Sequence, residues 1–175
     1  FRSVLGILRN GSEIAHELIA TRCQRGAEIA RLLRFPEAVS SGIFSLDEHY
    51  NGKGKPAALI GEEIPVYARI ALLAQVIDVF HTADGRSAAL AAARARAGTG
   101  FDPMLVESFE AVAIDEQFWT TLASPEVDNA VVALVPAVHE VPLDEDYLDD
   151  IAAAFGQVVD SKSPYTSGHS ARVAL

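Results

Sequence analysis

Asp47, Glu48 and His49 stand side by side, and Asp78 follows on the next apolar helical segment. Carboxylates and imidazoles are the side chains that hold divalent cations, and such a cation activates water toward a phosphoester. A second set, Lys53, Lys55 and Arg69, surrounds the turn Asn51-Gly52-Lys53-Gly54-Lys55-Pro56. Exposed backbone amides at a glycine-rich turn, with ammonium and guanidinium groups nearby, suit a phosphate or a nucleotide. Each set also has a plain structural reading: hydrogen-bonded helix-end residues in the first case, a solvated basic loop in the second. A lone glycine-rich turn is a weak motif. His16, His81 and His139 stand apart in the sequence and read as structural or surface residues. Cys23 is the single cysteine. It lies beside arginines, which can activate a thiol, but reads as buried and inert. Phe118 and Trp119 read as core or interface.

These residues need a scaffold, and the apolar spacing supplies one. Ile14, Leu18, Ile29, Leu32 and Leu33 predict a helix over 13–34, capped by Ser12 or Gly11, with Arg22, Arg25, Arg31 and Arg34 toward its C-terminal end. Gly26 inside it is a weak point or a close-packing site. Pro36 opens a helix reaching to about Asp47, before the glycine-rich turn over 49–56 and a second breaker over 61–65. Helices follow over 66–82 and 87–97. Asp102 caps another over 103–112, and a short one covers 115–122. Residues 127–141 are β-branched enough for a strand, but a lone strand has no partner. A short helix and then an extended linker holding Pro136 and Pro142 is the expectation. Asp144 opens an acidic-led helix through Lys162, Pro164 breaks it, and Thr166 caps a last helix from Ser167. The fold class is all-α.

Composition sets the outer limits. The 175 residues are half apolar, with 24 acidic against 14 basic side chains and a net charge of −10. That balance disfavours nonspecific nucleic-acid binding, which depends on many phosphate contacts from lysine and arginine. A single thiol excludes an internal disulfide framework and suits a reducing cytoplasm, the expected location. No run reaches the ~18 uninterrupted apolar residues of a membrane helix, and no secretory-signal pattern is read at the N-terminus. Neither nucleic acid nor membrane is an expected partner. The unclosed apolar pattern at Arg172-Val173-Ala174-Leu175 reads as an excised piece of a longer chain.

The run Leu46-Asp47-Glu48-His49-Tyr50-Asn51-Gly52-Lys53-Gly54-Lys55-Pro56, then Gly61-Glu62-Glu63-Ile64-Pro65, then Ala68-Arg69-Ile70, resembles the C-terminal half of an HD-GYP module. The family pattern is HHE, two residues, DGxGYP, a short loop, GxxI and a helix beginning aRI. The resemblance implies an HD-domain-like helical bundle and hydrolysis of a phosphodiester, often cyclic di-GMP, on divalent metals (Mn, Fe, Mg or Zn). The paired histidines of the pattern fall on Leu46 and Asp47, the tyrosine on Lys55 and a late aspartate on Gln75. These departures leave Asp47, His49 and Asp78 as residual ligand candidates, or no metal at all.

A second resemblance covers residues 159–174. Its Thr166-Ser167-Gly168-His169-Ser170 run looks like the opening of an HD-GYP module, which implies that His169 is a first metal ligand. The expected division is a degenerate module over 1–123, a linker over 124–143 and the opening of a second module over 144–175. The apolar face of Leu148, Ile151, Ala152, Phe155, Val158 and Val159 then needs cover, from a homodimer or from intramolecular packing on another module. Two functions follow as expectations: a catalytically silent regulatory or dimerising module, or an active phosphodiesterase acting on cyclic di-GMP or another nucleotide. A plain interaction domain is the third.

Overall fold

The structure is a computed structural model that describes residues 2–135 and 142–161, the side chains of 2–10, 12 and 161 excepted. Its helices in chain order are α1 (Arg2–Leu32), α2 (Glu37–Phe44), α3 (Val66–Asp84), α4 (Arg86–Arg96), α5 (Pro103–Ala113), α6 (Glu116–Leu122), α7 (Val127–Val132) and α8 (Glu145–Ser161). A single 3-10 turn, Gly61–Glu63, stands between α2 and α3. The described residues contain two isolated β-bridges, Asn51 with Ile60 and Ala97 with Phe101, and no strand. The all-α expectation holds, and residues 127–132 are helical as read. The linker's residues 136–141 and the helix expected from Ser167 lie outside the described residues.

The helices group into two compact units, residues 1–44 with 140–175 and residues 45–139. In the first unit α1 packs on α2 and α8. Cys23, Ala27, Ala30, Ser40 and Ala154 are buried there, so the lone thiol is inaccessible. Gly26 is a close-packing site: a Cβ at this position would lie 2.8 Å from Ile43 Cγ2. The expected cap at Ser12 or Gly11 is not one, because α1 runs through both. Serine and glycine lower helix propensity by about 1 kcal/mol at most, too little to stop a helix that continues on either side.

The C-terminus of α1 is a Schellman motif. Phe35 N–H donates to Ala30 O at 3.0 Å and Arg34 N–H to Arg31 O at 2.9 Å, with Arg34 at φ 55°. Glycine usually takes this left-handed position; here an arginine does, and its side chain is fastened to α8. Arg34 ion-pairs with Asp150 at 2.9 Å and stacks 4.7 Å from the Tyr147 ring centroid. Tyr147 Oη–H donates to Leu33 O at 2.9 Å. Asp144 accepts Tyr147 N–H at 2.8 Å and so caps α8 as read from sequence. Leu148, Phe155 and Val159 remain exposed on α8.

In the second unit α3 and α4 form a tight pair, with α5 and α6 closing over them. Ala89, Ala92 and Ala93 are buried, and their small side chains let the α4 backbone approach α3 closely. Leu73, Phe101, Val106, Phe109, Ala113 and Trp119 complete the core. Trp119 spends its one donor on Ala113 O at 2.9 Å. Asp102 and Asp115 are the N-caps of α5 and α6, accepting from Met104 N–H and Gln117 N–H. Helix α3 has the length and mean hydropathy, 1.2, to cross a bilayer. Arg69 and Asp78 interrupt its apolar run, and it packs against α4 and α5.

Candidate functional site: a loop closed on a buried glutamate

The loop after α2 turns around one carboxylate. Glu48 is 2% exposed. Its Oε1 accepts Ala57 N–H at 2.5 Å and its Oε2 accepts Leu59 N–H at 3.1 Å. Main-chain bonds close the same loop, from Gly52 N–H to His49 O at 2.8 Å and from Lys55 N–H to Asp47 O at 3.0 Å. Asn51 Oδ1 accepts Lys53 N–H at 3.1 Å. Two further bonds tie the loop to the turn after α4, from Tyr50 N–H to Gly100 O and from Asn51 N–H to Thr99 O.

Gly54 is the sterically fixed residue of this turn. A Cβ there would sit 2.0 Å from His49 N and 2.4 Å from Glu48 Cα, so only glycine lets the two backbone segments cross. Gly52 takes φ 76°, which also favours glycine. The Lys55–Pro56 peptide is cis. The glycine pattern is therefore required by packing and does not depend on any ligand.

The second anchor is Arg69, near the start of α3. Its Nη1 lies 2.5 Å from Asp102 Oδ2, with the two side chains 16% and 5% exposed. Asp102 thus serves twice, pairing with Arg69 and capping α5 through Met104 N–H at 2.9 Å. Sequence reading found the cap and missed the ion pair. The partners lie 33 positions apart, and no local pattern links them.

The candidate metal and phosphate residues are placed as follows. Asp47 is half-buried in the loop and His49 is exposed beside it. Asp78 and Gln75 are both exposed on α3. Asp78 borders an apolar cleft lined by residues of α3, α5 and α6, to which Asp47 and His49 do not contribute. Among the described residues no group of three or more His, Cys, Asp or Glu side chains is placed to hold a metal. His169 lies outside the described residues. A zinc-type centre needs at least three such ligands; the described residues do not fit one. Lys53 is exposed on the turn and Lys55 is half-buried. Arg69 is engaged by Asp102, so its charge is already neutralised.

Residues 9–105 match the HD domain family. The chain belongs to the HD-domain family of metal-dependent phosphohydrolases. It is 51% identical over 173 residues to 3'3'-cGAMP-specific phosphodiesterase 3 of Vibrio cholerae, covering 99% of this chain and 38% of that protein. It is 29% identical over 134 residues to the cyclic di-GMP phosphodiesterase response regulator RpfG of Xanthomonas campestris pv. campestris, covering 70% of this chain and 33% of that one. A crystal structure of a cyclic GMP-AMP specific phosphodiesterase of V. cholerae superposes with a TM-score of 0.86 at 52% identity, covering 97% of this chain and 41% of the other. The chain thus spans well under half the length of these relatives. The HD-GYP resemblance read from the glycine turn and the aRI helix start agrees with this membership.

Proposed function

We propose that this chain is part of a metal-dependent phosphodiesterase that hydrolyses a cyclic dinucleotide of the 3'3'-cGAMP type. The observation that carries the proposal is 51% identity, over 99% of the chain, to a 3'3'-cGAMP-specific phosphodiesterase. Of the readings drawn from sequence, it supports the active phosphodiesterase more than the silent module.

A divalent cation is the expected cofactor. When bound, it polarises a phosphoryl oxygen and makes water a better nucleophile. The described residues do not fit such a centre, so the proposal assigns no step to Asp47, His49 or Asp78. It assigns first ligation to His169, with the remaining ligands supplied by the greater length that the relatives have. Residues 45–139 then act as packed scaffold within the enzyme. That role is favoured by the commitment of the buried carboxylates Glu48 and Asp102 to internal partners.

The test uses the protein that carries this chain at the relatives' length. It is loaded in turn with Mn, Fe, Mg and Zn, its metal is counted by elemental analysis, and 3'3'-cGAMP hydrolysis is followed by chromatography. The expected result is a linear dinucleotide product, lost on chelation and in His169→Ala, and retained in His49→Ala and Asp78→Asn. Full metal occupancy without hydrolysis would sink the proposal. Loss of activity in His49→Ala, with the fold intact, would overturn the assignment of roles.

A further inference from the structure

The second unit contains a cleft of about 780 Å³ between α3 on one side and α5 and α6 on the other. That volume lies within the ~300–1,000 Å³ typical of small-molecule sites. Leu73 and Ile77 form one wall, and Phe109, Phe118 and Trp119 the other. The rings form a joined aromatic surface. Trp119 has its centroid 5.0 Å from Phe118 and 6.2 Å from Phe109, and His81 is tilted against it at 4.7 Å.

The polar part of the lining is small and one-sided. Asp78, His81 and Thr82 lie along one stretch of α3. Among the described residues no lysine or arginine lines the cleft. Arg86 reaches the Trp119 ring at 5.5 Å but is held by Glu116 and by Ala113 O, each at 2.7 Å. The indole N–H is spent on Ala113 O. Among the described lining residues phosphates and carboxylates therefore meet no cation, and the one fixed charge is the Asp78 carboxylate, which has no ion-pair partner among the described residues.

We propose that this cleft binds a small aromatic ligand carrying a cationic amine, with its ring against Phe118 and Trp119 and its ammonium at Asp78. Such a ligand is chemically unlike the anionic dinucleotide, so the proposal does not rest on the phosphodiesterase reading.

Trp119 is the sole tryptophan of these 175 residues, so the fluorescence of this chain, excited selectively, reports on the cleft wall. The probes are biphenylmethylamine and biphenylcarboxylate, which share a ring system and differ in charge. The amine is expected to perturb Trp119 saturably and to bind about fivefold tighter than the carboxylate, the upper end for a partly solvated ion pair. Asp78→Asn, an exposed substitution that leaves the fold intact by circular dichroism, is expected to bring the two affinities within about twofold. Ala74→Phe, which fills the cleft from α3, is expected to abolish both signals. Equal affinity for the two probes, no saturable signal from either, or an unchanged ratio in Asp78→Asn would each overturn the proposal.

Discussion

Glu48 organises the loop, and replacing it measures how much that organisation contributes. Glu48→Gln keeps the side-chain volume and one acceptor oxygen. The new amide NH2 then faces either Ala57 N–H or Leu59 N–H, donor against donor. A hydrogen bond to a charged group contributes about 1.5–3 kcal/mol, so losing one of the two costs about 2 kcal/mol. Glu48→Ala removes both and leaves the loop's amides to water, at about 3–4 kcal/mol. For a chain of this size about 1 kcal/mol shifts the Tm by roughly 2–4 °C, which predicts a fall of about 4–8 °C for Glu48→Gln. Thermal unfolding by circular dichroism measures it, with Glu62→Gln, an exposed neighbour, as the control expected to stay within about 0.5 kcal/mol of the parent. Native-state hydrogen exchange locates it: the Ala57 and Leu59 amides are expected to lose protection first. A Glu48→Gln protein that melts within about 1 °C of the parent, with those amides still protected, would refute the clamp.

Three further outcomes follow from the same geometry. Gly54→Ala drives a methyl into the backbone of His49 and Glu48 and is expected to cost at least about 3 kcal/mol, whereas Gly11→Ala, on α1 with nothing within 4 Å, is expected to stabilise by about 0.5–1 kcal/mol; equal effects in urea denaturation would contradict the reading. Arg69→Met strands the buried Asp102 carboxylate and is expected to cost about 3–5 kcal/mol, most of it recovered by adding Asp102→Asn, which keeps an uncharged cap; a double variant no more stable than the single one would refute the charge argument. The hydrogen bond from the Arg31 guanidinium holds the Glu37 carboxyl below the usual carboxylate range. Its folded pKa being depressed, its stabilisation is present above the unfolded value and lost as pH falls through the folded one. Melting curves from neutral to acid pH are therefore expected to fall slightly more steeply for the parent than for Glu37→Gln, and the difference is expected to vanish in high salt.

Much of this protein was legible along the chain. The order of helices, the cap at Asp102, the helix opened at Asp144, and the sharp turn at Gly52 and Gly54 follow from rules that act over a few residues. So does the family, because the spacing from the glycine turn to Gly61 and Arg69 is a property of the string. The N-terminal cap expected at Ser12 or Gly11 failed on the same ground: propensity ranks residues, and continuation on both sides outweighs it. What the sequence could not supply depends on which segments meet in space. Glu48 was one of three neighbouring ligand candidates until burial and two backbone donors made it a clamp. Arg69 looked available to phosphate until Asp102, from a separate helix, neutralised it. His81 and Trp119 are 38 positions apart and share a ring contact that no periodicity encodes. Local chemistry fixed the elements. Tertiary packing decided which charges were spent inside the protein and which, like Asp78, were left exposed.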